Sequence, residues 1–346
     1  MVMPGVSQKL VKILVLIFIS ILLLAREEIV LANTYTNPVG NITNIGDPFV
    51  LKYRNKYYLY ATSMPTLGFK VWVADNLVDW ELAGMAFDSA GEGNKWGIGD
   101  FWAPEVINYD GKFYMTYSAR DLDGHLKIAL AVSDDPLGPF INQQAPLFER
   151  GLSFIDGHIF IDDDGTPYLY YSKDCSENII DGKHISQIFV QEMSEDLTGL
   201  KGEAVLAVEP SQSWEGISEQ WQWNEGAFVL KYQGLYYLMY SANFYASAEY
   251  SIGYATATHP LGPWTKYEGN PILKQDLWQG VSGPGHNSVT LSPDYSEFFI
   301  VYHTHSYPDL PSGDRTVNID RLYFEDGILK IKGPTRSPQL LPSGSK

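Results

Sequence analysis

Asp47, Glu105, Asp156, Glu225 and His286 each open a short apolar run, and each precedes an aromatic segment by 8 to 12 residues. Four carboxylates and an imidazole gathered in one place raise or lower one another's pKa values, and such clusters are commonly catalytic or metal-binding. Two carboxyl groups are the minimum for hydrolysing a glycosidic bond. One, held protonated, gives its proton to the leaving oxygen; the other, ionised, activates a water on the opposite face. A third acid nearby can hold the donor protonated by like-charge repulsion. If the reaction inverts the anomeric centre, the two catalytic carboxyls stand roughly 6.5–9.5 Å apart to admit that water.

Those five residues share one surrounding pattern. The aromatic segments are YYLYATS from Tyr57, FYMTYSA from Phe113, YLYYSKD from Tyr168, YYLMYSAN from Tyr236 and FFIVYHT from Phe298. A unit copied five times at a spacing of 51 to 69 residues, made of strands alone, reads as a propeller blade. Turn pairs separate the first two strands: Asn55-Lys56, Asp110-Gly111, Asp164-Gly165 and Gln233-Gly234. Third strands follow from Lys70, Lys127, Gln187 and Ser251, and the last unit ends in two strands around Asp326-Gly327. Two units share the phrase Asp-Pro-Leu-Gly-Pro-Phe from Asp135 and His-Pro-Leu-Gly-Pro-Trp from His259. The expected fold is all-β, a five-bladed β-propeller. Equivalent residues of the first strands then form a ring around one mouth. Asp162-Asp163-Asp164-Gly165 looks like a calcium loop, yet its place between paired strands predicts a hairpin turn.

Residues 1–32 read as a signal peptide, with an uncleaved anchor as the alternative. Lys9 and Lys12 precede an apolar stretch, Ile13 to Leu24, shorter than the ~20 residues of a spanning helix, and Ala32 offers a cleavage site before Asn33. Residues 33–346 read as a single domain, secreted and free of the membrane once mature. A net charge of −17 argues against nucleic acid and anionic membranes and favours a neutral ligand or a cation. Cys175 is the only cysteine, so no intrachain disulfide forms. Nine Trp and 23 Tyr exceed ordinary need, and blade packing or sugar stacking would use them.

Ile45-Gly46-Asp47-Pro48-Phe49, Phe154-Ile155-Asp156-Gly157, Trp223-Asn224-Glu225-Gly226 and Gly283-Pro284-Gly285-His286-Asn287 together resemble glycoside hydrolase family 43. The resemblance runs from about Asn37 to Lys332. It implies a five-bladed propeller, inversion, and action on arabinose- or xylose-containing plant polysaccharides, without a cofactor for the chemistry. Carried over by position, it implies Asp47 as general base, Glu225 as general acid, Asp156 as pKa modulator and Trp102 as an aromatic wall. It also implies Arg315, or alternatively Arg321, as an arginine reaching the sugar, and His286 as an axial histidine that can hold a structural Ca2+. Glu105 receives no proton-transfer role and reads as a structural or rim carboxylate. Trp214, Trp221, Trp223 and the rim-loop residues Phe244 and Tyr245 receive no assignment.

Two departures stand out. Ala227 follows Gly226 where the family often has proline, and no segment remains for the β-sandwich of many family xylosidases. The second favours arabinan or arabinoxylan side chains over xylo-oligosaccharides. The competing readings are an endo-arabinanase of the same fold, a non-catalytic glycan-binding propeller, and a retaining fructan or sucrose hydrolase. The last lacks support because its Trp-Met-Asn-Asp-Pro-Asn-Gly and Arg-Asp-Pro motifs are absent.

Overall fold

The computed structural model describes residues 33–345; the signal-peptide reading lies outside them. The described chain is all-β, with two single-turn 3-10 segments at Ser213–Glu215 and Leu277–Gln279 and no α-helix. No helix among these residues is long and apolar enough to cross a membrane.

Five four-stranded antiparallel sheets follow one another along the chain. Their inner strands are Gly46–Tyr53, Gly99–Tyr109, Phe154–Ile161, Asn224–Tyr232 and Gly285–Leu291. The aromatic segments are the second strands, Lys56–Thr62, Lys112–Arg120, Pro167–Lys173, Leu235–Ala242 and Phe298–His305. Within each sheet, strands pair in sequence order. The Asp110–Gly111, Gln233–Gly234 and Asp326–Gly327 turns have both residues at positive φ, the mirror-image turn that matches strand twist. In the first sheet the turn is Arg54–Asn55, one residue earlier than the sequence implied, because Lys56 already pairs with Tyr53. Asp162 to Gly165 is a hairpin loop, with the Asp162 N–H donating to Thr166 O and the Gly165 N–H to Asp162 O.

Each inner strand packs against two others, and the first packs against the fifth. The five therefore form a circuit whose gaps are filled by the second strands' aromatic side chains. Tyr60, Tyr117, Tyr170, Tyr240 and Tyr302 are fully buried. The shared Pro-Leu-Gly-Pro phrase serves this packing: Tyr60 donates to Pro136 O and Tyr170 to Pro260 O, 2.7 Å in the second case. A buried phenol needs such a partner, so the repeated loop supplies a carbonyl to the preceding sheet. Residues at both ends of the described chain close on each other, Thr34–Tyr35 pairing with Gln339–Leu340.

Candidate active site

In every inner strand the ladder to the second strand slips, and in Gly99–Tyr109 it slips a further time, between Gly99 and Trp102. The shared slips fall between Gly46 and Phe49, Trp102 and Glu105, Ile155 and His158, Glu225 and Phe228, and Gly285 and Ser288. The residue at each slip is left-handed: Asp47 (φ 55°), Ala103 (44°), Asp156 (58°), Gly226 (61°) and His286 (46°). A bulge of this kind bends the strand and re-aims its side chain, and non-glycine residues in it are strained in the way functional sites often are.

The bulge amides are capped by the preceding sheet, at the sixth residue of its aromatic segment. Ala103 N–H donates to Thr62 Oγ1 at 2.8 Å, Asp156 N–H to Ser118 Oγ at 3.0 Å, and His286 N–H to Ser241 Oγ at 2.8 Å. Asp47 N–H closes the circuit on His303 Nδ1 at 3.2 Å. Only the fourth position breaks the rule. There Gly226 N–H donates to Asp156 Oδ2 at 3.0 Å, and the equivalent hydroxyl, Ser172 Oγ, is buried without a partner among the described residues.

The true equivalents are thus Asp47, Ala103, Asp156, Gly226 and His286, and two expected ring members sit elsewhere. Glu225 lies one residue before its bulge, level with Gly46 and Gly285. Glu105 lies two residues beyond Ala103, and of the two places read for it, structural or rim, it takes the structural one. It is buried against His158, whose Nδ1 is 2.6 Å from Glu105 Oε2 and whose Nε2 accepts the Val229 N–H at 3.0 Å. Aligning the units by charge put Glu105 two residues out of register, and its partner satisfies a buried carboxylate inside the fold.

Asp47, Asp156, Glu225 and His286 line one cavity of about 460 Å³. Asp47 is gripped on all sides. Its Oδ1 is 3.0 Å from Arg315 Nη1 and 3.3 Å from His286 Nδ1, and its Oδ2 accepts the Thr62 hydroxyl at 2.6 Å. Burial pushes this carboxyl up, but Arg315, then His286, His303 and Thr62, outweigh it and hold it well below the usual range. Glu225 forms no ion pair among the described residues. Burial first and the Asp156 charge second push it well above its ordinary value, and a hydrogen bond from Tyr250 to its Oε1, at 2.9 Å, offsets only part of that. A carboxyl pushed towards its protonated form and one held ionised therefore face one cavity.

Asp156 is raised from 3.8 to about 6, by burial, with His286 opposing and Asp47 adding to the rise. A raised acid binds more protons folded than unfolded, so its contribution to stability falls as pH rises from 3.8 towards about 6. Asp156→Asn removes that loss. The variant-minus-wild-type difference in Tm, followed by calorimetry, is expected to grow by roughly 4 °C across that window.

Trp102 and Arg315 also line the cavity. Gly46 makes room for that arginine, since a Cβ there would lie 2.0 Å from Arg315 Nη2. Arg321 is placed elsewhere, paired with Glu297 at 2.7 Å. The groups around His286 do not fit calcium, which takes six to eight oxygens. His286 shares Asp47 with a guanidinium, and no cluster of three His, Cys, Asp or Glu among the described residues is arranged to hold a metal.

Several residues left unassigned by sequence form one wall. His184 stacks on Trp221 at 3.7 Å, Trp221 on Trp223 at 6.2 Å, Trp223 meets Phe244 at 5.4 Å, and Phe244 meets Tyr245 at 4.8 Å. Arg315 covers the Tyr245 ring at 4.9 Å. Trp214 is excluded from it, packed on Tyr240 and bonded to Gln212. Tyr250, Thr62 and His303 escaped sequence reasoning. One signal did exist for His303: it stands where the other four aromatic segments carry Thr or Ser.

The family model for glycosyl hydrolases family 43 matches residues 35–329. The crystal structure of a thermostable family-43 glycoside hydrolase is 72% identical and superposes with a TM-score of 0.90, covering 90% of this chain and all of that one. An extracellular exo-alpha-(1->5)-L-arabinofuranosidase of Streptomyces avermitilis is 28% identical over 84% of this chain and 61% of its own length. A beta-D-galactofuranosidase of Aspergillus niger is 31% identical over 65% of this chain and 62% of its own. The chain thus spans about three-fifths of the length of these two curated relatives. A match of this extent, over a fold and cavity of the kind described, makes the chain a member of glycosyl hydrolases family 43.

Proposed function

We propose that this protein is an exported inverting glycoside hydrolase acting on α-L-arabinofuranosyl or β-D-xylosyl linkages of plant hemicellulose or pectin. The single observation behind this reading is the contrast between two carboxyls of one cavity. Asp47 is held by Arg315, His286 and Thr62, while Glu225 meets one neutral hydroxyl and a neighbouring acid. The first suits a base and the second an acid.

In this mechanism Asp47 takes a proton from water as its oxygen bonds to the anomeric carbon. The bond from that carbon to the leaving oxygen breaks, and Glu225 delivers its proton there. Asp156 keeps Glu225 protonated, a smaller influence than burial itself. Trp102 offers the sugar a face, and Arg315 keeps Asp47 ionised while bordering the sugar position. Two carboxyls and one water suffice, with no cofactor. The wall from Trp221 to Tyr245 would receive the rest of the polysaccharide. The five sheets are read as the blades of a five-bladed propeller, one domain over residues 33–346, with residues 1–32 as its export signal.

The test is the configuration of the first product. Proton NMR during hydrolysis of phenyl α-L-arabinofuranoside or phenyl β-D-xyloside is expected to show the inverted anomer before mutarotation. A retained anomer overturns the mechanism.

A further inference from the structure

A general acid is useful only if its proton sits on the oxygen that faces the leaving group. Glu225 has two oxygens, and Tyr250 touches one. The Tyr250 hydroxyl lies 2.9 Å from Oε1. Tyr250 is the donor of this pair.

The His286 backbone N–H can only donate, and it donates to Ser241 Oγ at 2.8 Å. The Tyr250 hydroxyl in turn donates to Glu225 Oε1. On the other side of the cavity a row runs from Ala103 N–H through Thr62 to Asp47 Oδ2. Burial keeps the phenol neutral.

The ring itself is rigidly held. It is fully buried and lies parallel to His303, with 5.5 Å between centroids and 2° between planes. Gly285 permits this position, since a Cβ there would be 2.0 Å from Tyr250 Cε1.

We propose that Tyr250 is a positioning residue that occupies Oε1 of Glu225 and so confines the transferable proton to Oε2. This rests on the reading of Glu225 as general acid. In the transition state Glu225 becomes a carboxylate, and the same hydroxyl then donates to a charged oxygen, a stronger bond than in the ground state.

The test is Tyr250→Phe, assayed on phenyl and 2,4-dinitrophenyl glycosides of arabinofuranose and xylose. On the phenyl glycoside, which needs the proton, kcat is expected to fall about 10- to 100-fold with KM little changed. On the dinitrophenyl glycoside, whose leaving group departs without protonation, the loss is expected to stay near about 3-fold. The donor favours the ionised acid, so its loss raises the Glu225 pKa and moves the alkaline limb of the pH profile upward. Equal losses on both substrates with an unmoved limb would overturn the proposal and leave Tyr250 as packing. Should Tyr250→Phe not fold, Tyr250→Leu, which also lacks the hydroxyl, is assayed in the same way, with a change of the same sign expected. Glu225→Gln run alongside separates the two claims. Full turnover of that variant on the phenyl glycoside overturns both, whereas its loss beside equal Tyr250→Phe losses overturns only the role of Tyr250.

Discussion

Glu225→Gln is expected to lower kcat on phenyl glycosides by on the order of 10³-fold, with KM nearly unchanged. Burial and the Asp156 charge push Glu225 towards its neutral form, which glutamine matches in charge as well as in shape. Its carbonyl oxygen can accept the Tyr250 hydroxyl as Oε1 does. What disappears is the proton. Substrates with a 2,4-dinitrophenyl leaving group should therefore lose far less than phenyl glycosides. Binding measured by calorimetry with an arabino- or xylo-oligosaccharide should match the wild type. A uniform loss on both leaving groups would show that Glu225 is not the donor.

Asp47→Ala is expected to be the more damaging change, lowering kcat by on the order of 10⁴-fold and also reducing stability. Removing this carboxylate strips the base from the water and leaves the buried Arg315 guanidinium without its counter-charge. Breaking a buried pair from one side costs about 3–5 kcal/mol, so the melting temperature should fall clearly. The hole is small, polar and cationic, which suits azide. Added azide should restore part of the turnover and give a glycosyl azide of inverted configuration, because it enters from the face where Asp47 stood. Absence of rescue, or an azide product with retained configuration, would count against Asp47 as the base.

Much of the fold was legible because it is periodic. Aromatic segments at regular spacing, with turn residues before them and shared phrases after them, are local features that a chain reveals without its partners. Asp47 and Asp156 were legible for the same reason, each followed by a strand and each in its family motif. Glu105 was misplaced because period-two strands tolerate no error of register. Its charge resembled that of Asp47 and Asp156, but the bulge of that strand falls at Ala103, so Glu105 takes the level of His158. The bulge is a matter of pairing with the next strand, and no residue type announces it.

The aromatic wall was hidden by distance in sequence. His184, Trp221, Trp223, Phe244 and Tyr245 come from three loops, and only folding stacks them. Calcium was suggested by one imidazole. Its neighbours in space are Arg315 and the Asp47 carboxylate the two share, so that place holds a pinned carboxylate.

By itself the sequence determined an all-β chain of five like units, a set of acids competent for glycoside hydrolysis, and the family. Those follow from residue types and short-range periodicity. Only the tertiary structure decided the surroundings of each acid. Protonation depends on burial and on charges brought from other sheets: Arg315 reaches Asp47 from the fifth, Asp156 reaches Glu225 from the third, and Tyr250 closes on Glu225 from within the fourth. Such fields fall off over a few ångströms, and the residues that set them stand from 25 to 268 positions away in sequence, so only the fold brings them within range.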